Sequence, residues 1–208
     1  MFSEQMNERK DRYFILNKPY NMVSQFVSPD DVRLLGEINF EFPEGTHAIG
    51  RLDQNSEGLL ILTTNKKVTK LLFQGEIPHK RTYLVQVVYK MSDVDVQKLR
   101  EGVIIKIAGD VDWQTSPCQA QIVQKPDNLF TYENELPEFV AHSWITLTLT
   151  EGKFHQVRKM VNALNYKCKR LIRIAIEDMT LGNLQPGEVK EYDEETFFRL
   201  LKITNWRH

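Results

Sequence analysis

Residues 50–60 read Gly-Arg-Leu-Asp-Gln-Asn-Ser-Glu-Gly-Leu-Leu. They set one carboxylate, Asp53, in a polar turn between two apolar segments, with Arg51 two residues before it. An anionic nucleophile on a rigid turn, with a cation beside it, is what covalent catalysis by a carboxylate requires. The same residues would also make a plain hairpin turn, with Asp53 accepting from nearby backbone N–H groups. If Asp53 and Glu57 worked as a carboxylate pair, the chemistry would instead be hydrolysis of a glycoside or nucleoside.

A second block, Glu151-Gly152-Lys153-Phe154-His155-Gln156-Val157-Arg158-Lys159-Met160, carries a possible partner. On a helix, Val157 and Met160 face the core and Arg158 lies at the edge of that stripe. A guanidinium there could pair with Asp53, keep it ionised and hold its rotamer. An ordinary amphipathic helix with solvated bases is the alternative reading. From residue 153 to 173 the bases are Lys153, Arg158, Lys159, Lys167, Lys169, Arg170 and Arg173, with no Asp or Glu among them. The whole chain has a net charge of −1, so this positive charge is local. A long one-sign stretch beside a candidate site points to phosphate contacts.

The elements that must position these groups follow from periodicity and turn residues. Tyr13 to Leu16 reads as a strand ending at Asn17-Lys18-Pro19, with Met22 to Phe26 as its return strand. His47 to Leu52 and Leu59 to Thr63 flank the Asp53 turn as strands. Leu59, Leu60 and Ile61 would supply apolar pocket walls, although core is their default role. Lys66 to Phe73 reads as a short helix, and Thr82 to Tyr89 as a strand with Tyr83, Val85 and Val87 on one face. Ser92 caps a helix from Asp93 to about Arg100, which Gly102 stops.

Val103 to Ile107 and Gln119 to Val123 are further strands, and Lys125 to Ala141 is a long surface loop. Ser143 to Thr150 alternates cleanly, and Phe154 to Leu164 is a helix with Asn165 just past its end. Strands return at Leu171 to Ile176, Thr180 to Leu181 and Val189 to Tyr192. Asp193 then caps a last helix that buries Phe197, Leu200 and Leu201. Most connections are too short for crossover helices. The fold class is therefore α+β, a largely antiparallel mixed sheet with flanking helices.

At 208 residues and 41% hydrophobic, the chain suits one large domain or two intimately packed subdomains. Residues 1–11 read as a mobile tail and 12–208 as the catalytic domain. No apolar stretch approaches a membrane span, and the N-terminus lacks the apolar core of a secretory signal. Cys118 and Cys168 imply neither a disulfide framework nor a zinc site, so a reducing cytoplasm is expected. The five histidines are scattered and no phosphate-binding glycine loop is present, so neither metal nor cofactor is expected. Without coiled-coil heptads, a monomer is expected.

The Gly50–Leu60 run, the Glu151–Met160 block and Lys80-Arg81-Thr82-Tyr83-Leu84-Val85 together resemble the catalytic motifs of RNA pseudouridine synthases. The resemblance extends to Phe14–Pro19, matching an opening motif read as structural, and to closing strands at Leu171-Ile172-Arg173 and Leu181–Leu184. It adds a central catalytic cleft to the fold, and implies that Asp53 is the nucleophile, that Arg158 pairs with it and that Tyr83 stacks on the target uracil. It also implies that Arg51 takes the space of a flipped nucleotide or holds its phosphate. Lys153, His155, Lys159, Lys167, Lys169, Arg170 and Arg173 would then hold the RNA backbone.

The pattern is most similar to the branch of small- and large-subunit ribosomal RNA enzymes. About a dozen residues precede the motifs, too few for the S4 RNA-binding domain of most of that branch. The short E-type bacterial large-subunit enzymes are similar in this respect, and 23S ribosomal RNA is the implied substrate. A non-catalytic RNA-binding or ribosome-assembly protein, and a synthase acting on another RNA such as tRNA, are the alternatives.

Overall fold

The computed structural model describes residues 10–73, 78–130, 132–133 and 135–207. The expected tail lies outside the described residues up to residue 9. The strands are β1 (Tyr13–Lys18), β2 (His47–Ile49), β3 (Glu57–Thr63), β4 (Arg81–Val88), β5 (Ile104–Lys106), β6 (Asp112–Gln114), β7 (Gln119–Val123), β8 (His142–Leu149), β9 (Cys168–Ile176), β10 (Met179–Thr180) and β11 (Val189–Tyr192). The helices are α1 (Val68–Phe73), α2 (Asp93–Glu101), α3 (Gln156–Ala163) and α4 (Glu194–Leu200).

The main sheet runs β11-β1-β3-β9-β4-β8-β7, with β2 added beside β3 and β10 beside β9. Every pairing is antiparallel except β3 with β9, which is parallel and joined by only two residue pairs, Glu57 with Ile172 and Gly58 with Arg173. That short junction links two halves of the sheet. Gly58 has φ +100° there, and a Cβ on it would lie 2.3 Å from the Arg173 carbonyl oxygen, so only glycine fits.

Strand period sorts the core. Tyr13, Ile15, Leu59 and Ile61 face one way, onto Phe197 and Phe198 of α4. Phe14, Leu16, Leu60 and Leu62 face the other way, onto Met22, Leu35 and Ile38. A third cluster packs α2 and α3 on Val85, Val87, Ile145, Leu147 and Leu149.

Met22 to Phe26 is not a strand. Both edges of β1 are taken, by β3 and β11, so no partner edge remains for it. The segment instead packs on the Asp53 turn, with Met22 N–H donating to the Gln54 carbonyl. Leu59, Leu60 and Ile61 are fully buried inside the sheet and do not wall a pocket.

Candidate active site

The Asp53 turn is held from outside at almost every residue. Ser24 Oγ donates to the Leu52 carbonyl and accepts from the Leu52 N–H, both at 3.0 Å. The Lys18 ammonium donates to the carbonyls of Pro19 and Met22 at 2.9 and 2.6 Å and lies 3.5 Å from that of Gln54. Burial pulls this lysine down to about 7, with Glu57 and then Asp53 opposing. Lys18 is thus an internal clamp between the end of β1 and the turn, rather than a simple turn residue. Arg158 Nη2 donates to the Asn55 carbonyl at 2.7 Å and to Ser56 Oγ at 3.2 Å. At the turn's far end, Glu57 is gripped by Arg170 at 2.9 and 3.1 Å.

So fixed, Asp53 projects into a cleft of about 380 Å³ with its side chain 27% exposed. His155 Nε2 lies 3.4 Å from Asp53 Oδ1, and Arg158 Nε lies 3.9 Å from Oδ2. The guanidinium therefore sits at ion-pair range of the carboxylate while its short hydrogen bonds go to the turn. It faces the carboxylate and fixes the backbone of the turn at once. His155, at φ +56° just before α3, is turned toward the cleft and stacks on Phe154, centroids 3.8 Å apart. Cys168 Sγ lies 3.6 Å from Arg158 Nη1, and burial pushes its thiol up to about 11, which makes it a weak nucleophile.

Other walls come from scattered elements: Leu52, Phe73, Leu149, Val157 and Leu171 supply apolar surface, and Tyr83 of β4 and Arg173 of β9 stand at adjacent positions. Arg51 is exposed on the rim. Lys153 also lines the cleft, its ammonium 3.8 Å from the Trp113 ring centroid, and Phe154 stands 73% exposed at the mouth with the Lys159 ammonium 5.6 Å from its ring. Phe73, Arg81, Glu151 and Phe154 are site residues that the sequence reading missed. Arg81, Glu151 and Phe154 fall inside stretches already singled out, Lys80–Val85 and Glu151–Met160, but other residues of those stretches drew the roles. Glu151 accepts from Ser116 N–H, Gln156 Nε2 and Trp113 Nε1, which locks the loop leading into α3.

Two bases expected on RNA are elsewhere. Arg170 has a fully buried side chain between Glu57 and Glu135, so it cannot reach a phosphate. Arg173 is 4% exposed, at the cleft floor, and equally unable to meet an RNA backbone. Both sit on β9, which is flanked by β3 and β4 in mid-sheet. Lys167 is exposed and Lys169 partly so. Glu57 is committed to Arg170, which removes it as a second catalytic carboxylate. A larger depression of about 690 Å³, beside β7 and residues 135–138, includes none of the candidate catalytic residues. Among the described residues no three His, Cys, Asp or Glu could hold a metal ion.

Arg158→Ala removes the bonds to Asn55 and Ser56 as well as the nearby charge. A misplaced reactive group costs on the order of 100-fold in rate, and that loss is expected in single-turnover assays. Arg158→Lys restores charge without the fork and recovers only part of it. An unchanged rate in Arg158→Ala would assign the Asp53 partner role to another group.

The arrangement can be compared with known proteins. The model of the RNA pseudouridylate synthase family matches residues 12–163. A ribosomal large subunit pseudouridine synthase E from Vibrio parahaemolyticus is 35% identical over 86% of this chain and 73% of its own. One of the same name from Xanthomonas axonopodis pv. citri is 35% identical over 83% and 89%. A crystal structure of a pseudouridylate synthase superposes with TM-score 0.74 at 26% identity, over 92% of this chain and 74% of that one. The fold of that structure, the match across both blocks and the identity with the two enzymes agree: this chain belongs to the RNA pseudouridylate synthase family.

Proposed function

We propose that the chain isomerises a uridine of large-subunit (23S) ribosomal RNA to pseudouridine, with Asp53 as the nucleophile and Tyr83 and Arg158 beside it. The observation that carries the roles is the Asp53 carboxylate, partly exposed on a turn pinned by Ser24, Lys18, Arg158 and Arg170, inside a cleft sized for a base. The choice of RNA is supported by the relatives named large-subunit enzymes. The nucleotide is flipped into the cleft at a cost of a few kcal/mol. The N1–C1′ bond then breaks, the uracil turns within the site, and C5 bonds to C1′ as its proton leaves. Apolar walls and a partly closed cleft keep the free base from escaping.

The reading extends to a monomer acting in the cytoplasm, where ribosomal RNA would be met. Among the described residues no helix is long and apolar enough to cross a membrane. Release of tritium from [5-³H]uridine-labelled 23S RNA tests the reading. Release from tRNA alone would move the substrate, and no release from free RNA or assembled subunits would overturn the activity.

The surface bases carry a separate expectation. Replacing Lys159, Lys167 and Lys169 by Ala should weaken RNA binding and reduce the slope of log K against log salt by about 2, at 0.7–0.9 per lost phosphate contact. A slope equal to that of the wild type would put the RNA on another face.

A further inference from the structure

Arg173 occupies an unusual place for a cation. Its side chain is 4% exposed and lines the cleft that holds Asp53. Nε donates to the Leu59 carbonyl at 2.8 Å, but Nη2 is buried with no hydrogen-bond partner. Buried N–H groups are nearly always satisfied, so one left open at the floor of a cleft calls for an acceptor supplied from outside the chain. Arg170, three residues earlier, shows the contrast: it is paired with Glu57 and Glu135. Burial disfavours the Arg173 charge, and it is supported by the nearby Tyr83 side chain, which also hydrogen-bonds the guanidinium, rather than by a carboxylate; Nη2 is the donor left over.

The position is rigid. Arg173 pairs with Tyr83 of β4 on one side and Gly58 of β3 on the other. The Gly58 approach leaves no room for the Arg173 backbone to shift toward β3. A ring and a guanidinium thus stand at adjacent register positions in the lining of the cleft that Asp53 also lines.

We propose that Arg173 is a catalytic residue that donates Nη2–H to a carbonyl oxygen of the flipped uracil and holds the base's negative charge while it is detached. The assignment rests on the reading of the chain as a uridine isomerase. When N1–C1′ breaks, its electron pair stays on N1 and spreads to O2 and O4, while C1′ bonds to the Asp53 carboxylate. When C5 attacks C1′, Asp53 leaves with the C1′–O pair, the C5 proton is lost to a base and N1 takes up a proton. Atoms and charge balance, and the base is anionic only between the two steps. A fixed cation aimed at that anion lowers both barriers and needs no reorganisation. A donor aimed at O4 also meets the amino group of cytosine with a donor, which disfavours cytidine.

The test compares wild type, Arg173→Met and Arg173→Lys on [5-³H]uridine-labelled ribosomal RNA under single turnover, with thermal melting of each protein. Arg173→Met should lose about 100- to 1000-fold in rate at saturating RNA. Its affinity for RNA should stay close to that of the wild type, because the contact strengthens only as the bond breaks. Arg173→Lys should fall between. The gap between wild type and either variant should narrow on 5-fluorouridine RNA, followed by loss of the nucleoside from digests, because fluorine stabilises the departing anion. If Arg173→Met does not fold, Arg173→Lys carries the same comparison. A folded Arg173→Met at the wild-type rate overturns the proposal. A loss confined to RNA affinity, or a gap unchanged by fluorine, does so too. An inactive wild type overturns the isomerase reading and this proposal with it, whereas an active wild type beside an unaffected variant removes only Arg173.

Discussion

Asp53→Asn is expected to abolish tritium release, by at least about 10⁴-fold, in a protein that still folds and binds RNA. The substitution is nearly isosteric. The anchors of the turn act on Leu52, Gln54, Asn55, Ser56 and Glu57, not on the Asp53 carboxylate, so the turn should keep its shape. With its side chain 27% exposed, Asp53 is no core residue, and an uncharged amide there costs little stability. RNA affinity should hold or rise, because a negative charge is removed from beside Arg158 and His155 and from the cleft that Lys153 also lines, which makes that region more positive toward a polyanion. Asp53→Glu is the sharper control: it keeps the charge, moves it by one methylene, and should still lose about 100-fold by misplacement. Near-normal turnover by Asp53→Asn would end the nucleophile assignment, and joint loss of turnover and RNA binding would make Asp53 a folding residue.

What the sequence made legible was what depends on near neighbours. Ser92 accepts from Asp95 N–H at the start of α2, and Asp193 from Thr196 N–H at the start of α4, as their residue types foretold. The alternation in β8 and the helical stripe of α3 are equally local. What was hidden depends on which elements end up adjacent. A run such as Leu59-Leu60-Ile61 looks the same whether it lines a cavity or fills a core, and the actual apolar walls come from Leu52, Phe73, Leu149, Val157 and Leu171, which no single pattern joins.

The β5–β6 hairpin was missed in part, although Gly109 and Asp110, both at positive φ, supply turn chemistry for it. The basic run from residue 153 to 173 was taken as one surface because charge says nothing of burial. Arg170 and Arg173 lie on β9, in the middle of the sheet, within a stretch from residue 170 to 173 that is buried throughout.

Arg170→Met should therefore act on stability first. The guanidinium donates to both oxygens of Glu57, to Glu135 at 2.6 Å and to the Phe130 carbonyl at 3.1 Å, and it lies against the rings of Phe130 and Tyr132. It joins the first residue of β3, β9 and the loop after β7, three segments far apart in sequence. Removing it strands Glu57 with little access to water and leaves Glu135 with only Lys125, and breaking such a buried pair typically costs about 3–5 kcal/mol. Against a total of roughly 5–15 kcal/mol for a domain, that is a large fraction, visible as a lower urea midpoint with little change in slope. The same calculation predicts a rescue. Adding Glu57→Gln removes the stranded charge, so the double variant should be more stable than Arg170→Met alone, and the non-additivity measures the pairing. RNA affinity per folded molecule should be unaffected, which separates this role from the phosphate contact that the sequence suggested. A drop below about 1 kcal/mol would show the network to be no stronger than an exposed ion pair. A large drop would mean that the turn bearing Asp53 is held, through Glu57, by a cation that never meets the substrate.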